Sequence, residues 1–293
     1  MVKGWDYLSK VRIITDSASD LPHEFATNNN LTILPLGVHL DEKQFEDGVT
    51  IKPKAVYEAM RAGKVPTTSQ VSPQVFEDIF TDSAKREESV VYIAFSSELS
   101  GTYQTAVMMA NQVKEEYPNS QIHIINTKCA SLGEGLVARK AAELAKNGAT
   151  VEEIIQAVEF TSKHMEHIFT VDNLEYLARG GRVSKTAAFV GGLLNIKPLL
   201  NVEDGKLVPF EKVRGKKKLY TRIIEIMKER GVQLDKQVIA ISHGDDLESA
   251  EDMKRMIQEE FNPSEVFINM IGASIGAHAG PGTIAIFFLN KID

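Results

Sequence analysis

Residues 89–117 read SVVYIAFSSELSGTYQTAVMMANQVKEEY and decide the fold class of the chain. The run at 89–95 is mostly apolar and rich in β-branched and aromatic side chains, which predicts a buried strand. A polar turn at 96–100 follows, and a helix is predicted over Gly101–Tyr117. Because a strand that leads through a short turn into a helix is the repeating unit of a parallel sheet, this stretch predicts an α/β domain.

The same alternation continues on both sides of this stretch. Strands are predicted at Val11–Thr15, Leu31–Val38, Ser89–Phe95 and Gln121–Ile125. Helices are predicted at Pro53–Ala62, Pro73–Ala84, Gly101–Tyr117, Leu132–Lys146 and Val151–His164. Polar segments follow the strands at Thr15–Asp20, Phe95–Thr102 and Asn126–Ser131. Since ligands bind beyond the carboxyl ends of parallel strands, we expect these segments to gather at one edge of the sheet.

The second half of the chain has a different pattern, with more strands and fewer helices. Strands are predicted at Ile168–Val171, Leu199–Val202, Leu207–Phe210, Gln237–Ser242, Glu265–Ile271 and Thr283–Leu289. Helices are predicted at Lys216–Glu229 and Asp246–Glu260. We therefore predict an α/β domain with a mainly parallel sheet over residues 1–165 and an α+β domain over residues 166–293.

The composition is that of an ordinary globular protein. The 293 residues are 43% apolar and 25% charged, and at about 150 residues per domain they suggest two domains. Cys129 is the only cysteine, which fits a reducing compartment.

The N-terminal residues lack the apolar run of a signal peptide, and the most apolar stretch, Val183–Leu200, contains Lys185, Lys197 and Pro198. We expect a cytoplasmic protein without a membrane span.

The net charge of −7 argues against a nucleic-acid-binding protein. The charge is uneven, however, because the segment from Arg179 to Arg222 holds eleven Lys and Arg against three Asp and Glu. This segment is either a solvated basic face or the site of an anionic ligand or partner.

Common cofactor and metal motifs are absent or weak. The sequence contains no P-loop, and the glycines around Glu134 lack the third glycine of a dinucleotide-binding fingerprint. His164 and His167 are spaced to ligate a metal from one helix, but no further ligand cluster is visible, so a solvated helix end is favoured. We predict neither a cofactor nor a metal site.

Two hydroxyl-rich segments are candidates for binding an anion. The hydroxyls at 67–69 either cap the helix predicted at Pro73 or form a hydrogen-bond cradle, and the cap is favoured. Ser100 fits the N-cap position of the next helix, whose free N–H groups favour an anion such as a carboxylate.

Two glycine-rich segments are further candidates. Arg179–Arg182, RGGR, is either a plain turn or a fork that holds carboxylate or phosphate. Gly276–Gly282, GAHAGPG, predicts a tight loop between the last two strands. His278 in that loop is either structural or available for binding and proton chemistry.

Taken in order, these segments resemble the DegV family, the bacterial fatty-acid-binding proteins that serve as acyl carriers for a fatty acid kinase. The matching motifs are TDSASDLP at 15–22, TSQ at 68–70, LSGTYQ at 99–104, RGGR at 179–182 and GAHAGPG at 276–282. The likeness extends from about Arg12 to Leu289.

The resemblance implies a fatty acid in a tunnel mostly inside the second domain, with its carboxylate at the cleft between the domains. The carboxylate-binding hydroxyls of the family fall on Thr68 and Ser100. Its basic residues near the head group, which serve phosphate transfer or kinase docking, fall on Arg182, Arg214 and His278. The small apolar residues at 187–194 suit a tunnel lining, although core packing explains them equally well.

We therefore predict a non-catalytic carrier that holds a long-chain fatty acid such as palmitate. A separate ATP-dependent kinase subunit would convert the bound carboxylate to an acyl phosphate. No nucleic-acid partner is expected, and a transient contact with a membrane is compatible with the prediction.

Two rival functions remain open at this stage. The first is a serine hydrolase that uses Ser100 and His278 with Asp16, but no G-x-S-x-G elbow surrounds the serine. The second is a lipid-sensing regulator that binds a protein or nucleic acid through the basic residues 216–218.

Overall fold

The protein, seen in a computed structural model that describes residues 11–184 and 196–292, contains three β-sheets. A four-stranded parallel sheet has the order β2-β1-β6-β7, with β1 at Val11–Asp16, β2 at Leu31–Leu34, β6 at Ser89–Ala94 and β7 at Ile122–Asn126. Its helices are α1 (His23–Asn28), α3 (Pro73–Lys85), α4 (Thr102–Glu116), α5 (Leu132–Lys146) and α6 (Val151–Lys163). The first sheet therefore confirms the predicted α/β architecture of the N-terminal half.

A small antiparallel sheet, β4-β3-β5, stands apart from the first. Its strands are β3 (Gly37–Leu40), β4 (Lys43–Glu46) and β5 (Thr67–Ser69), and helix α2 (Pro53–Arg61) connects β4 to β5. The single strand predicted over Leu31–Val38 is wrong, because β2 ends at Leu34 and β3 begins at Gly37. Pro35 lies between them and has no N–H to continue a ladder.

The C-terminal half forms a six-stranded mixed sheet in the order β10-β9-β8-β13-β11-β12. Its strands are β8 (Met165–Thr170), β9 (Ile196–Glu203), β10 (Lys206–Arg214), β11 (Val238–His243), β12 (Glu265–Met270) and β13 (Ile284–Leu289). Its helices are α7 (Leu174–Arg179), α8 (Lys216–Arg230), α9 (Leu247–Phe261) and α10 (Ala273–Ala279). This mixed sheet with helices confirms the α+β prediction for the second half.

Successive side chains of β13 point to opposite faces of the large sheet, and the two faces pack against different cores. Ile284, Ile286 and Phe288 pack against α8 and α9 in one hydrophobic core. Ala285 and Phe287 face the opposite side, where they join a core that includes helix α5. Helix α5 thus lies between the two main sheets, and the apolar cluster around it holds the two halves of the chain together.

The segment around His278 is helical and not the tight loop that the sequence predicts. Helix α10 spans Ala273–Ala279, and only Gly280 and Gly282 adopt the positive φ of a turn. A Cβ at Gly276 would lie 2.6 Å from the Tyr57 hydroxyl. That glycine therefore permits close packing of the helix against α2 and does not mark a turn.

Two other expectations change with the observed elements. Helix α6 ends at Lys163 and β8 begins at Met165, so His164 and His167 do not share a helix face. Within residues 11–184 and 196–292, no cluster of three or more His, Cys, Asp and Glu is arranged to hold a metal ion.

The candidate tunnel lining at 187–194 lies outside the described residues. In the part of the chain that is described, no helix is long and apolar enough to cross a membrane.

Candidate functional site

A cavity lies between helix α10, strands β8 and β13, and the turns that follow β6 and β7. Its apolar lining residues are Leu36, Phe95, Leu99, Ala130, Phe169, Leu177, Val202, Leu207, Ile271, Ile275, Ala279, Ala285 and Phe287. Its polar lining residues are Thr68, Ser100, Ser131, His167, Arg182, Ser274, His278 and Thr283.

The long axis of the cavity follows from strand geometry. Thr283, Ala285 and Phe287 line it at alternate positions of the β13 segment, and Phe169 and His167 do so on the antiparallel neighbour β8. Four residues of strand between Thr283 and Phe287 correspond to about 13 Å. The cavity is therefore elongated, with the His278 end near Thr283 and a far end at His167 and Phe287.

The end near Thr283 is polar because two distant segments meet there. Thr68 on β5 places its Oγ1 atom 2.7 Å from Nε2 of His278 on α10. Burial and the nearby Arg182 guanidinium lower the pKa of His278 to about 4, so its imidazole is neutral at pH 7. Thr68 belongs to a strand, and the helix α3 begins after Ser72, so the favoured capping role for residues 67–69 is wrong.

Arg182 also reaches this polar end. Its Nε and Nη2 atoms donate to the Leu99 carbonyl at 3.1 and 2.8 Å, and Nη1 donates to the Gly180 carbonyl. A Cβ at Gly180 would lie 2.2 Å from Nδ1 of His278. Gly180 of the RGGR segment therefore allows the turn that carries Arg182 to approach His278. Burial lowers the pKa of Arg182.

Ser100 lines the cavity from the turn before α4. That helix begins at Thr102 with Gly101 as its N-cap, so the prediction of Ser100 as the N-cap is off by one residue. The Ser100 hydroxyl accepts from the Thr102 N–H at 3.3 Å and lies 2.9 Å from the Thr102 hydroxyl. The helix start and this hydroxyl together supply donors beside the cavity.

Four of the five predicted site residues line one cavity, and Arg214 does not. Arg214 is exposed at the end of β10, where it pairs with Ile196 of β9. Leu207, near the start of the same strand, lines the cavity, but Arg214 at its end is not among the described residues that do.

The contacts of Ser100 and His278 weaken the hydrolase alternative. Among the described residues, Ser100 is hydrogen-bonded to Thr102 and His278 to Thr68, so no serine–histidine hydrogen bond is formed. Asp16 accepts from Tyr92, Phe95 and Ala18 and does not orient the histidine. In a serine hydrolase the serine lies within hydrogen-bond distance of the histidine, and the histidine within hydrogen-bond distance of the acid.

Buried carboxylates hold the turns that frame the cavity. Asp47 accepts from the backbone N–H groups of Ala273 and Ser274, at 2.9 and 3.0 Å, and thereby fixes the start of α10. Asp20 accepts from the Gly272 N–H at 2.7 Å and from the Ser131 hydroxyl. Burial raises the pKa of Asp20 well above its usual value. The sequence analysis missed these positioning roles, although the polar turn at 15–20 was a signal for one of them.

The chain is similar to known proteins over nearly its whole length. A family model described as "Uncharacterised protein, DegV family" matches residues 10–291. A DegV domain-containing protein of Clostridium perfringens is 40% identical over 97% of this chain and 98% of its own length. The structure of a DegV family protein from Thermus thermophilus, described as fatty acid binding, has a TM-score of 0.87 at 30% identity, covering 95% of this chain and 98% of that one. The Bacillus subtilis protein DegV, described as a fatty acid binding protein, has a TM-score of 0.84 at 30% identity over 97% and 100% of the two chains.

Proposed function

Because this chain belongs to the DegV family, we propose that it binds one long-chain fatty acid in the cavity, with the carboxylate at the end formed by Thr68, Ser100 and His278. The observation that carries this proposal is the shape and polarity of the cavity. It is elongated and mostly apolar along its length, and the side chains of Thr68, Ser100, Arg182 and His278 meet at one end.

Burial of the acyl chain supplies most of the expected affinity. Each methylene removed from water contributes about 0.8 kcal/mol, so a chain of about 16 carbons offsets the cost of immobilising the ligand. The carboxylate cannot enter an apolar space without partners, because an unpaired buried charge is very costly. Thr68 and Ser100 supply hydroxyl donors, and Arg182 supplies a positive charge close by.

We expect the Thr68→Ala/Ser100→Ala double variant to bind hexadecanoic acid about tenfold to a hundredfold more weakly than the wild type. The loss reflects about 1.5–3 kcal/mol for hydrogen bonds to a charged group. Isothermal titration of delipidated protein measures it, and Thr67→Ala, at an exposed neighbouring position on β5, is the matched control. Equal affinity of the double variant and the wild type would show that the carboxylate binds elsewhere.

The further step in this proposal is transfer of a phosphoryl group to the bound carboxylate by a separate kinase subunit. His278 lies between the cavity and a small surface crevice, which Tyr176, Arg179 and Gly180 also line. The head group would therefore be near the surface, where a partner can reach it. Arg182 would offset the added negative charge, and Arg214, exposed at the end of β10, would contribute to docking of the kinase.

We expect ATP consumption to require three components together: this chain loaded with fatty acid, ATP and a fatty acid kinase catalytic subunit. A coupled ADP assay measures it, with fatty-acid-free protein as the control. Arg182→Ala should lower the rate more than it lowers fatty acid binding, because the added charge exists only after transfer. ATP consumption by this chain alone would contradict a carrier role.

Two broader parts of the proposal concern organisation and location. We propose the division into residues 1–165 and 166–293, which falls at the start of β8, the first strand of the large sheet. We also propose a cytoplasmic carrier that contacts the membrane transiently to collect or release its ligand, since a free fatty acid partitions into lipid.

A further inference from the structure

A buried threonine contacts the hydroxyl of Ser100 twice. Thr102 is the first residue of α4, is fully buried and is not among the described residues that line the cavity. Its Oγ1 atom lies 2.9 Å from Oγ of Ser100, and its backbone N–H donates to the same Ser100 oxygen at 3.3 Å. Thr102 therefore acts on a ligand in the cavity through Ser100.

The backbone that carries Ser100 is held by other groups. The Ser100 N–H donates to the Ser96 carbonyl at 3.2 Å. The Leu99 carbonyl accepts from Nε and Nη2 of Arg182. These contacts leave the Ser100 side chain free to rotate about its Cα–Cβ and C–O bonds. Of the groups in this turn, Thr102 is the one whose contacts restrict that rotation.

The direction of the hydrogen bond between the two hydroxyls follows from their other partners. The Val71 N–H can only donate, so Oγ1 of Thr102 is the acceptor in that 3.4 Å contact. A carboxylate beside Ser100 can only accept, so the Ser100 proton would point to it. The Thr102 hydroxyl then donates to Ser100. The chain of hydrogen bonds runs from the Val71 N–H through Thr102 and Ser100 to the ligand.

This arrangement leaves Ser100 able to donate to a ligand but not to accept from it. A serine hydroxyl has two acceptor lone pairs and one proton. The N–H and the O–H of Thr102 occupy both acceptor positions. Each hydroxyl in such a chain polarises the next, which strengthens the last bond, and that bond is strongest when its acceptor is charged. An anionic oxygen therefore gains more from this chain than the oxygen of a neutral alcohol does.

We propose that Thr102 is a positioning residue for the ligand head group, which directs the Ser100 proton into the cavity and thereby favours a fatty acid over the corresponding fatty alcohol. This inference rests on the proposed function, because it assumes that the carboxylate lies at Ser100. It also gives a role to the threonine of the LSGTYQ segment.

The test compares hexadecanoic acid with hexadecanol, each measured by displacement of a fluorescent fatty acid from the full chain. Thr102→Val keeps the shape of the side chain and removes its hydroxyl. We expect this variant to bind the acid about fivefold more weakly than the wild type and the alcohol within about twofold. Thr102→Ser, which retains the hydroxyl, should bind the acid within about twofold of the wild type.

Thr105→Val, one turn further along α4, is the matched control. Thr105 is also buried, but its hydroxyl accepts from Nε2 of Gln70 at 2.6 Å instead of contacting Ser100. The ratio of acid to alcohol affinity should therefore stay within about twofold of that of the wild type.

A double-mutant cycle with Ser100→Ala tests whether the effect passes through Ser100. Once Ser100 is replaced, Thr102→Val should weaken acid binding by less than about twofold further, because the hydroxyl that it positions is gone. A further loss of about fivefold would show that Thr102 acts by another route and would overturn the inference.

Other results also contradict the inference. Unchanged acid binding by Thr102→Val would show that Ser100 needs no such partner, and equal losses of acid and alcohol would make Thr102 only a packing residue. Failure of the wild type to bind hexadecanoic acid contradicts the proposed function itself. Thr102→Ala, which also lacks the hydroxyl, gives the same comparison if Thr102→Val does not fold.

Discussion

Ala285→Phe is expected to reduce the affinity for hexadecanoic acid by at least a hundredfold. Ala285 lies on β13 midway between Thr283 and Phe287, and its side chain faces the cavity. A phenyl ring there would block the elongated space about halfway along its length. Losing burial of about eight methylenes at about 0.8 kcal/mol each removes about 6 kcal/mol, which more than accounts for that reduction. Titration of delipidated protein gives the value.

Ile286→Phe is the matched control for this variant. Ile286 is the next residue on the same strand, but it faces the opposite core beneath α8 and α9. Overpacking there should lower the free energy of unfolding by about 1–3 kcal/mol and leave fatty acid affinity nearly unchanged. Normal binding by Ala285→Phe in a folded protein would show that the acyl chain does not follow β13.

Asp16→Ala is expected to lower the free energy of unfolding by about 3–6 kcal/mol. Asp16 is fully buried at the end of β1 and accepts from the Tyr92 hydroxyl at 2.7 Å. It also accepts from the Phe95 and Ala18 N–H groups, each at 3.1 Å. Removing the carboxylate leaves three buried donors unpaired, at about 1–2 kcal/mol each. Urea denaturation measures the change, and exposed Asp235→Ala should cost less than about 0.5 kcal/mol.

The pH dependence of Asp16→Asn gives an independent measure of the same group. Burial raises the pKa of Asp16 from 3.8 to about 6, despite the hydrogen bonds that lower it. As the pH rises from 4 to 7, the unfolded chain loses this proton before the folded chain does, so the contribution of Asp16 to stability falls. The destabilisation caused by Asp16→Asn should therefore shrink by about 2 kcal/mol over that interval.

The comparison between variant and wild type is needed because other buried groups titrate in the opposite direction. His167 and His278 have pKa values near 4, so protonation of the unfolded chain on acidification lowers stability. These groups are common to both proteins and cancel in the difference. A destabilisation by Asp16→Asn that is constant from pH 4 to pH 7 would contradict a raised pKa for Asp16.

Local patterns in the sequence predicted most of the regular fold. The apolar run at 89–95 and its following helix were identified because a buried parallel strand and an amphipathic helix each leave a local signature. The short strand β5 is not predicted, since it depends on pairing with β3, which lies on the far side of helix α2. The break between β2 and β3 does have a local signal, the missing N–H of Pro35. Helix α10 was missed because Gly276 serves close packing against Tyr57.

The sequence indicates most residues of the candidate site, but it does not show how they are arranged. The resemblance to the DegV family implies Thr68, Ser100, Arg182, Arg214 and His278, and all of these except Arg214 line one cavity. No local pattern could show that Thr68 contacts His278, because 210 residues separate them. The role of Asp47 was hidden for the same reason, since its partners lie on another element. A cavity is the space left between distant segments, so its lining requires the whole fold.

The most direct test of the central claim is to identify what the purified protein carries. The full chain is denatured and extracted with organic solvent, and the extract is analysed by mass spectrometry against an internal fatty acid standard. We expect close to one long-chain fatty acid per protein molecule, and a lower amount from Ala285→Phe purified in the same way. An empty extract, together with no thermal stabilisation of the protein by added long-chain fatty acids, would contradict the account.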